Sequence, residues 1–555
     1  MKQGNNANTF LAINPEFVLE EKMRNCILTA KTTAIYLMVA LLGTGVAGTA
    51  AADGDYSGKH LKAAADGHYF GKRPKYVFYF IGDGMAMPQV HAAEAYLAQL
   101  DEDDVVPGGV KAKRLVMTEF PVQGSQMSFA NNRFITGSAA AGTALACGMK
   151  TNIGVISMNP DATAPYTSLA EAAKAKGMKV GIVSSVSIDH ATPAVFYAHT
   201  PSRNNYEEIG EFLLNGDFDY FGGGGFRVNK YTSAKYAGKT NAERYAMVEA
   251  TAVANGFNFA NTRAEFDALN RSVDRAIAIN PYLDGSNAIP YALNRMYSVG
   301  ENYDGTITLA EFTAKGIELL KNRKGFFMMV EGGKIDWAGH ANDARANIED
   351  TIAFDAAIDV AADFARKHPH NTLIVVTGDH ECGGMSLGFA ATAYESYYET
   401  MAKQTVAYDD FAGKVLADYK AAHPSPAADI DTDLWQIILD TMGLDGAGLT
   451  PDLGDDLTAY EIQLLEDAYD QDIHGVNGNS AEENFIHYGY YNPITVTLTH
   501  VLNRRAGMYW TSYYHTSVPV PVFAKGPGQR LFDGYYDNTE VAKKIAAAMR
   551  VNLGN

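Results

Sequence analysis

The sequence predicts an α/β fold: a central, mostly parallel sheet flanked by helices on both faces and interrupted by two large insertions. Three observations predict it. Short apolar runs of strand length recur along the chain. Helical text separates them, and strands alternating with helices indicate a sheet covered on both sides. Several runs lead into Asp, Glu or His, where open α/β sheets collect their ligands.

The elements follow in order. From Met23 the chain has a basic start (Arg24, Lys31), an apolar run Ile35–Leu42 and small residues before Asp53. Ala50 and Ala52 fit an A-x-A cleavage pattern, so residues 1–52 read as an N-terminal extension and secretory signal, with translation starting at Met23. A retained anchor is the alternative, although the run is short for a bilayer. This reading places the protein in the periplasm or outside the cell. Residues 53–555 then read as a single domain. "YVFYFI" (Tyr76–Ile81) leads to Asp83. "FITGSAAAGTALACG" (Phe134–Gly148) breaks at Gly137 and puts Ser138 at the start of a helix of small residues. Ser is a favoured helix cap, and the exposed N–H groups there also attract anions.

"VGIVS" (Val180–Ser184) leads to His190 and Thr192, "FFMMV" (Phe326–Val330) to Glu331, Asp336 and His340, and "LIVVT" (Leu373–Thr377) to Asp379 and His380. His515 precedes the run "VPVPVFA" (Val518–Ala524). The insertions cover about 204–321 and about 386–507. The second carries acidic helical text and the tyrosine-rich "ENFIHYGYYNP", which either lines an entrance or packs on the surface.

The formal net charge is −19. That argues against nucleic-acid binding as the main role. It would also repel an anionic substrate unless the site holds local positive charge, which metal ions could supply. Three cysteines, one of them in the signal, exclude a disulfide framework and a cysteine zinc site. Whether Cys147 and Cys382 pair stays open. Asp and His suit zinc, and added carboxylate and hydroxyl oxygens suit magnesium. Asp336 and His340, spaced i,i+4, fall on one face of a helical turn. Each residue alone reads as an ordinary capping, core or surface group. Together, beside apolar strands, the acidic groups need a shared cation.

These pieces, in order, resemble the alkaline phosphatase family: "FIGDG", "TGSAAAGTA", "DHATPAVFYAHTPSR", "VEGGKIDWAGHANDA", "TGDHECGG" and "HTSVPVPVFA". The resemblance runs from about Lys75 to Met549, apart from the insertions. It implies hydrolysis of small-molecule phosphate monoesters through a covalent phosphoserine on Ser138, with Arg203 gripping the phosphate. It implies two zinc ions and one magnesium. Asp336, His340 and His515 would hold one zinc. Asp83, Asp379 and His380 would hold the other. Asp83, Thr192 and Glu331 would hold magnesium. It also implies a homodimer. A phosphodiesterase or phosphonate hydrolase of the same superfamily is the alternative activity, and a non-catalytic surface binding protein the alternative class.

Three positions depart from the best-known bacterial pattern. Gly137 replaces an aspartate that tethers the arginine, which predicts a looser Arg203. His190 stands where some members have an aspartate, which predicts a residue near magnesium but not directly on it, with a third zinc as the other reading. Trp337 replaces Lys or His and removes a charge from the phosphate pocket.

Overall fold

The chain places β1 (Tyr76–Gly82), β2 (Val122–Met127), β3 (Lys179–Ser184), β4 (Tyr220–Gly223), β5 (Asn258–Ala260), β6 (Ala276–Ile279), β7 (Phe326–Gly332), β8 (Thr372–Gly378), β9 (Val520–Lys525) and β10 (Gly534–Asp537) in one ten-stranded sheet. The order is β10-β2-β9-β8-β1-β7-β3-β4-β6-β5. All neighbours run parallel except β9, which is antiparallel to both β2 and β8. The computed structural model describes residues 69, 71–100, 113–298, 303–448 and 457–555. The proposed signal and its cleavage pattern lie outside the described residues.

The middle strands are buried along their whole length, as a doubly covered parallel sheet requires. Successive side chains point to opposite faces. Phe78 and Phe80 of β1 join one core with Phe326, Met328, Ile374 and Val376. Val77, Tyr79 and Ile81 join the other with Phe327, Met329, Leu373 and Val375. The register is what positions the site. Gly82 of β1 lies opposite Gly332 of β7 and Gly378 of β8. Three strands therefore stop at one level. Glu331, Asp83 and Asp379 sit at that edge.

The two interrupting segments behave differently. The first contributes β4, β5 and β6 to the sheet. These strands have three or four residues each, too short for apolar periodicity to reveal. The second adds no described strand to the central sheet. Its ends close in a short antiparallel pair, Ser386–Leu387 with Met508–Tyr509. A second pair, Glu381–Cys382 with His515–Thr516, then lays His515 beside the segment that follows His380. The run expected at Val518–Ala524 forms β9 two residues later. Val518 is exposed, and pairing with β8 starts only at Val522, past the donor-less Pro521. No helix among the described residues is long and apolar enough to cross a membrane. Cys147 and Cys382 are both buried and unpaired.

Candidate metal centre

Five short elements carry the site. Helix α1 (Ser138–Cys147) starts with Ser138 behind an extended Gly137 and is buried throughout. Its small residues permit close contact with α2 (Ala191–Ala194): a Cβ built on Gly142 would meet Val195 at 3.1 Å and the Thr192 backbone at 3.8 Å. Thr192 thereby comes close enough for its hydroxyl to donate to Asp83 Oδ2, 3.2 Å away. Helix α3 (Lys334–His340) follows β7 and presents Asp336 and His340 on one face. Asp379 and His380 follow β8, where Asp379 Oδ1 accepts from the N–H groups of Gly84 and His380.

Eleven residues were expected at the site, and the structure brings them into one chain of contacts. His340 Nε2 lies 3.4 Å from Asp336 Oδ2, His515 Nε2 lies 3.3 Å from Asp336 Oδ1, and the two Nε2 atoms are 3.1 Å apart. His380 Nε2 lies 3.4 Å from Asp83 Oδ1 and 3.3 Å from Asp379 Oδ2. The His380 and His515 rings stack at 3.6 Å, joining the two groups. Ser138 Oγ is 3.4 Å from His380 Nε2 and 3.5 Å from Arg203 Nη1. Asp83, His190 and Glu331 form a third donor group.

These separations test whether cations fit. Asp83 Oδ1, Asp336 Oδ1 and Asp379 Oδ2 are buried and make no hydrogen bond, although each faces an imidazole nitrogen. Ion pairs close to 2.7–2.9 Å. Ligands on one tetrahedral zinc, with bonds of about 2.0 Å, stand about 3.3 Å apart. The outer nitrogens agree: His340 Nδ1 reaches the Tyr513 carbonyl at 2.6 Å, and His515 Nδ1 the Thr136 carbonyl at 2.8 Å. A carbonyl can only accept, so Nδ1 carries the proton and Nε2 offers a lone pair. With both rings neutral, two such lone pairs 3.1 Å apart repel unless a cation sits between them. The donor set fits a metal cluster.

Electrostatics agree. Burial, then the charges of Asp379, Asp336 and Glu331, push the Asp83 carboxyl well above its ordinary range. Burial pushes Glu331 to about 8 and Asp379 to about 6. Burial also opposes charge on His340, but Asp336 overrides it and lifts the ring to about 9. His380 goes the other way: burial, then the charge of His515, holds it well below its ordinary value. Four carboxylates in a dry pocket are costly without cations.

His190 lies beside Asp83 and Glu331, as expected, and also makes a contact the sequence did not suggest. Its Nε2 accepts from Arg203 Nη2 at 2.9 Å, and Trp337 meets its ring edge-on at 5.8 Å. Arg203, expected to be loose for want of an aspartate at 137, is held by this histidine instead. Cys382 was missed as a site residue. Its thiol lies within 4.8 Å of the donor atoms of Asp336, His340 and His515. The signal was available, because His380 and Cys382 stand two apart at a strand end and so share a face. Lys334 was missed as well. Fully buried, it donates to Asp284 at 2.5 Å and sits 3.7 Å from Asp409, anchoring α3 to both interrupting segments.

The comparisons with known proteins point one way. The alkaline phosphatase family model matches residues 74–551. The chain is 31% identical over 483 residues to alkaline phosphatase 3 of Bacillus subtilis, covering 86% of this chain and 90% of that protein. It also superposes on a cold-active alkaline phosphatase from a psychrophilic Shewanella with a TM-score of 0.65 and 28% identity, covering 85% of this chain and 99% of the other. A solved mutant of the alkaline phosphatase from the Antarctic bacterium TAB5, described with magnesium in its M3 site, matches at 25% identity and a TM-score of 0.54, covering 87% of this chain and 99% of that one. With its family match spanning nearly the whole sheet and site, this chain belongs to the alkaline phosphatases, enzymes that hydrolyse phosphate monoesters.

Proposed function

We propose that the protein is a secreted alkaline phosphatase that transfers the phosphoryl group first to Ser138 and then to water. The observation that carries this reading is the buried Ser138, whose Oγ lies between His380 Nε2 and Arg203 Nη1. Zinc held by Asp336, His340 and His515 and by Asp83, Asp379 and His380, with magnesium held by Asp83, Thr192 and Glu331, would supply Lewis acidity to oxygens that gain charge.

The chain's own groups do the rest. Arg203 offers two N–H donors to two non-bridging phosphate oxygens. Ser138 Oγ attacks phosphorus in line, the P–O bond to the alcohol breaks, and the alcohol departs with the bonding electrons and takes up a proton. Water then attacks the phosphoserine and releases phosphate and Ser138. The free N–H groups at the start of α1 favour the negative phosphoserine throughout. His190 fixes Arg203, and the Thr136 and Tyr513 carbonyls hold two imidazoles in the ligating tautomer. The magnesium of the TAB5 mutant supports a magnesium role for the third group, in which Asp83 and Glu331 offer the oxygens that this ion prefers. Residues 1–52 act as extension and signal, residues 53–555 as the catalytic domain, and the working form is a homodimer.

The test is metal content with trapping of labelled phosphate at low pH, in the wild type and in Ser138→Ala. Wild type should carry about two zinc per chain and a serine-linked label, with turnover of monoesters well above diesters. Ser138→Ala should keep its metals and lose the label. A label that survives the substitution contradicts the proposal.

A further inference from the structure

The second interrupting segment encloses a cleft of about 680 Å³ whose lining includes Phe485, Arg504, Tyr509, Trp510, Tyr513 and Tyr514. Among the described residues no carboxylate lines it, in a chain of net charge −19. Arg504 holds its guanidinium 5.6 Å over the Tyr509 ring, while the neighbouring Arg505 takes Glu461. Trp510 is 6% exposed, and its indole N–H is buried with no acceptor.

The cleft shares walls with the metal centre. The Tyr513 carbonyl orients His340, and the Tyr514 ring lies edge-on to His340 at 6.3 Å and next to His515 in sequence. Asn342, just past His340, bonds both the Ser512 carbonyl and His500. The volume suits a small organic ligand. Aromatic faces with a few donors and no competing carboxylate suit a planar ring that carries acceptor atoms.

We propose that this cleft receives the leaving group of the ester and selects a planar aromatic one with hydrogen-bond acceptors, as in a nucleoside monophosphate. This rests on the phosphomonoesterase mechanism proposed above. The aromatic faces stack on the ring, and Arg504 meets its acceptors. An aliphatic alcohol gains nothing there.

The test compares kcat/KM for adenosine 5′-monophosphate, phenyl phosphate and glycerol 2-phosphate in the wild type, Phe485→Ser and Arg504→Gln. Each variant is compared with wild type on the same substrate, so intrinsic leaving-group reactivity cancels. Phe485→Ser should lower the first two by about tenfold, through KM, and Arg504→Gln should lower the nucleotide alone by a similar factor. Glycerol 2-phosphate should stay within about twofold. Equal losses on all three substrates, or none, overturn the proposal. Equilibrium dialysis with adenosine separates the two readings. If the wild type hydrolyses none of the esters, the proposed mechanism fails, and adenosine binding that Phe485→Ser abolishes still supports the cleft. Absence of adenosine binding overturns it. Sedimentation covers the other occupant: if Phe485→Ser separates an assembly into monomers and leaves selectivity unchanged, a second copy fills the cleft and the proposal fails.

Discussion

Asp83, Asp379 and His380 have no exposed side-chain surface, whereas His340 and His515 keep 24% and 12% of theirs. The sealed group grows directly from the ends of β1 and β8, so its geometry comes with the sheet. The open group stands on a seven-residue helix and on a strand pair that closes only after the second segment has run its course. The same residue types respond in opposite ways. His380 is driven well below its ordinary pKa, and His340 is lifted to about 9. The difference teaches that one end of the cluster is sealed by the sheet while the other stays open to solvent and to protons.

Ser138 sits at the junction, and its loss should do the most damage. Ser138→Ala should cut kcat by roughly 10⁴-fold or more with fold and metal content intact. Retained phosphoryl transfer would deny it the nucleophile's role. The next test separates the two ends. Asp83→Asn removes one of several crowded buried carboxylates, so it should raise the melting temperature of the chelated protein by a few degrees. The same change should abolish most of the stabilisation that zinc gives the wild type. A chelated variant less stable than chelated wild type contradicts the crowding argument. Under limiting chelator, the open group should lose its ion first, read as one fast and one slow phase of zinc release.

The pH dependence sharpens the contrast. With its folded pKa lifted to about 9, His340 is protonated in the metal-free protein at neutral pH. Its pairing with Asp336 then adds stability that is fully present below the ordinary histidine pKa of about 6.5 and is lost as pH rises through about 9. Metal requires the neutral ring. Zinc affinity should therefore climb between about pH 7 and about pH 9, with protons released on binding. Calorimetry in two buffers of different ionisation enthalpy reads this. Affinity flat across that range would remove His340 from the ligands.

A smaller effect concerns Arg203. Gly137 has extended backbone, and a Cβ there meets only Ile153 at 3.9 Å, so Gly137→Asp fits without strain. The added carboxylate should tighten phosphate binding by roughly tenfold and slow its release. Unchanged product inhibition would show that His190 alone already fixes the arginine.

Much of this was legible in the sequence. Strands such as Tyr76–Gly82 and Thr372–Gly378 are continuous apolar runs, and their ends deliver Asp83, Asp379 and His380 to one edge because the register is set by the same residues. What stayed hidden was of two kinds. The strands β4, β5 and β6 are too short for periodicity to mark. Contacts such as Arg203–His190 and the stack of His380 on His515 join residues whose meeting depends on packing. Trp337 was read as a lost charge, but sequence could not place its edge against His190.

The most direct measurement of the central claim is anomalous diffraction at the zinc edge from crystals of the metal-loaded protein. The account predicts two strong peaks, one within about 2.1 Å of Asp336, His340 and His515 donors and one equally close to those of Asp83, Asp379 and His380, with Ser138 Oγ beside the second. Zinc density that is absent from both groups, or that lies only elsewhere on the molecule, would contradict it.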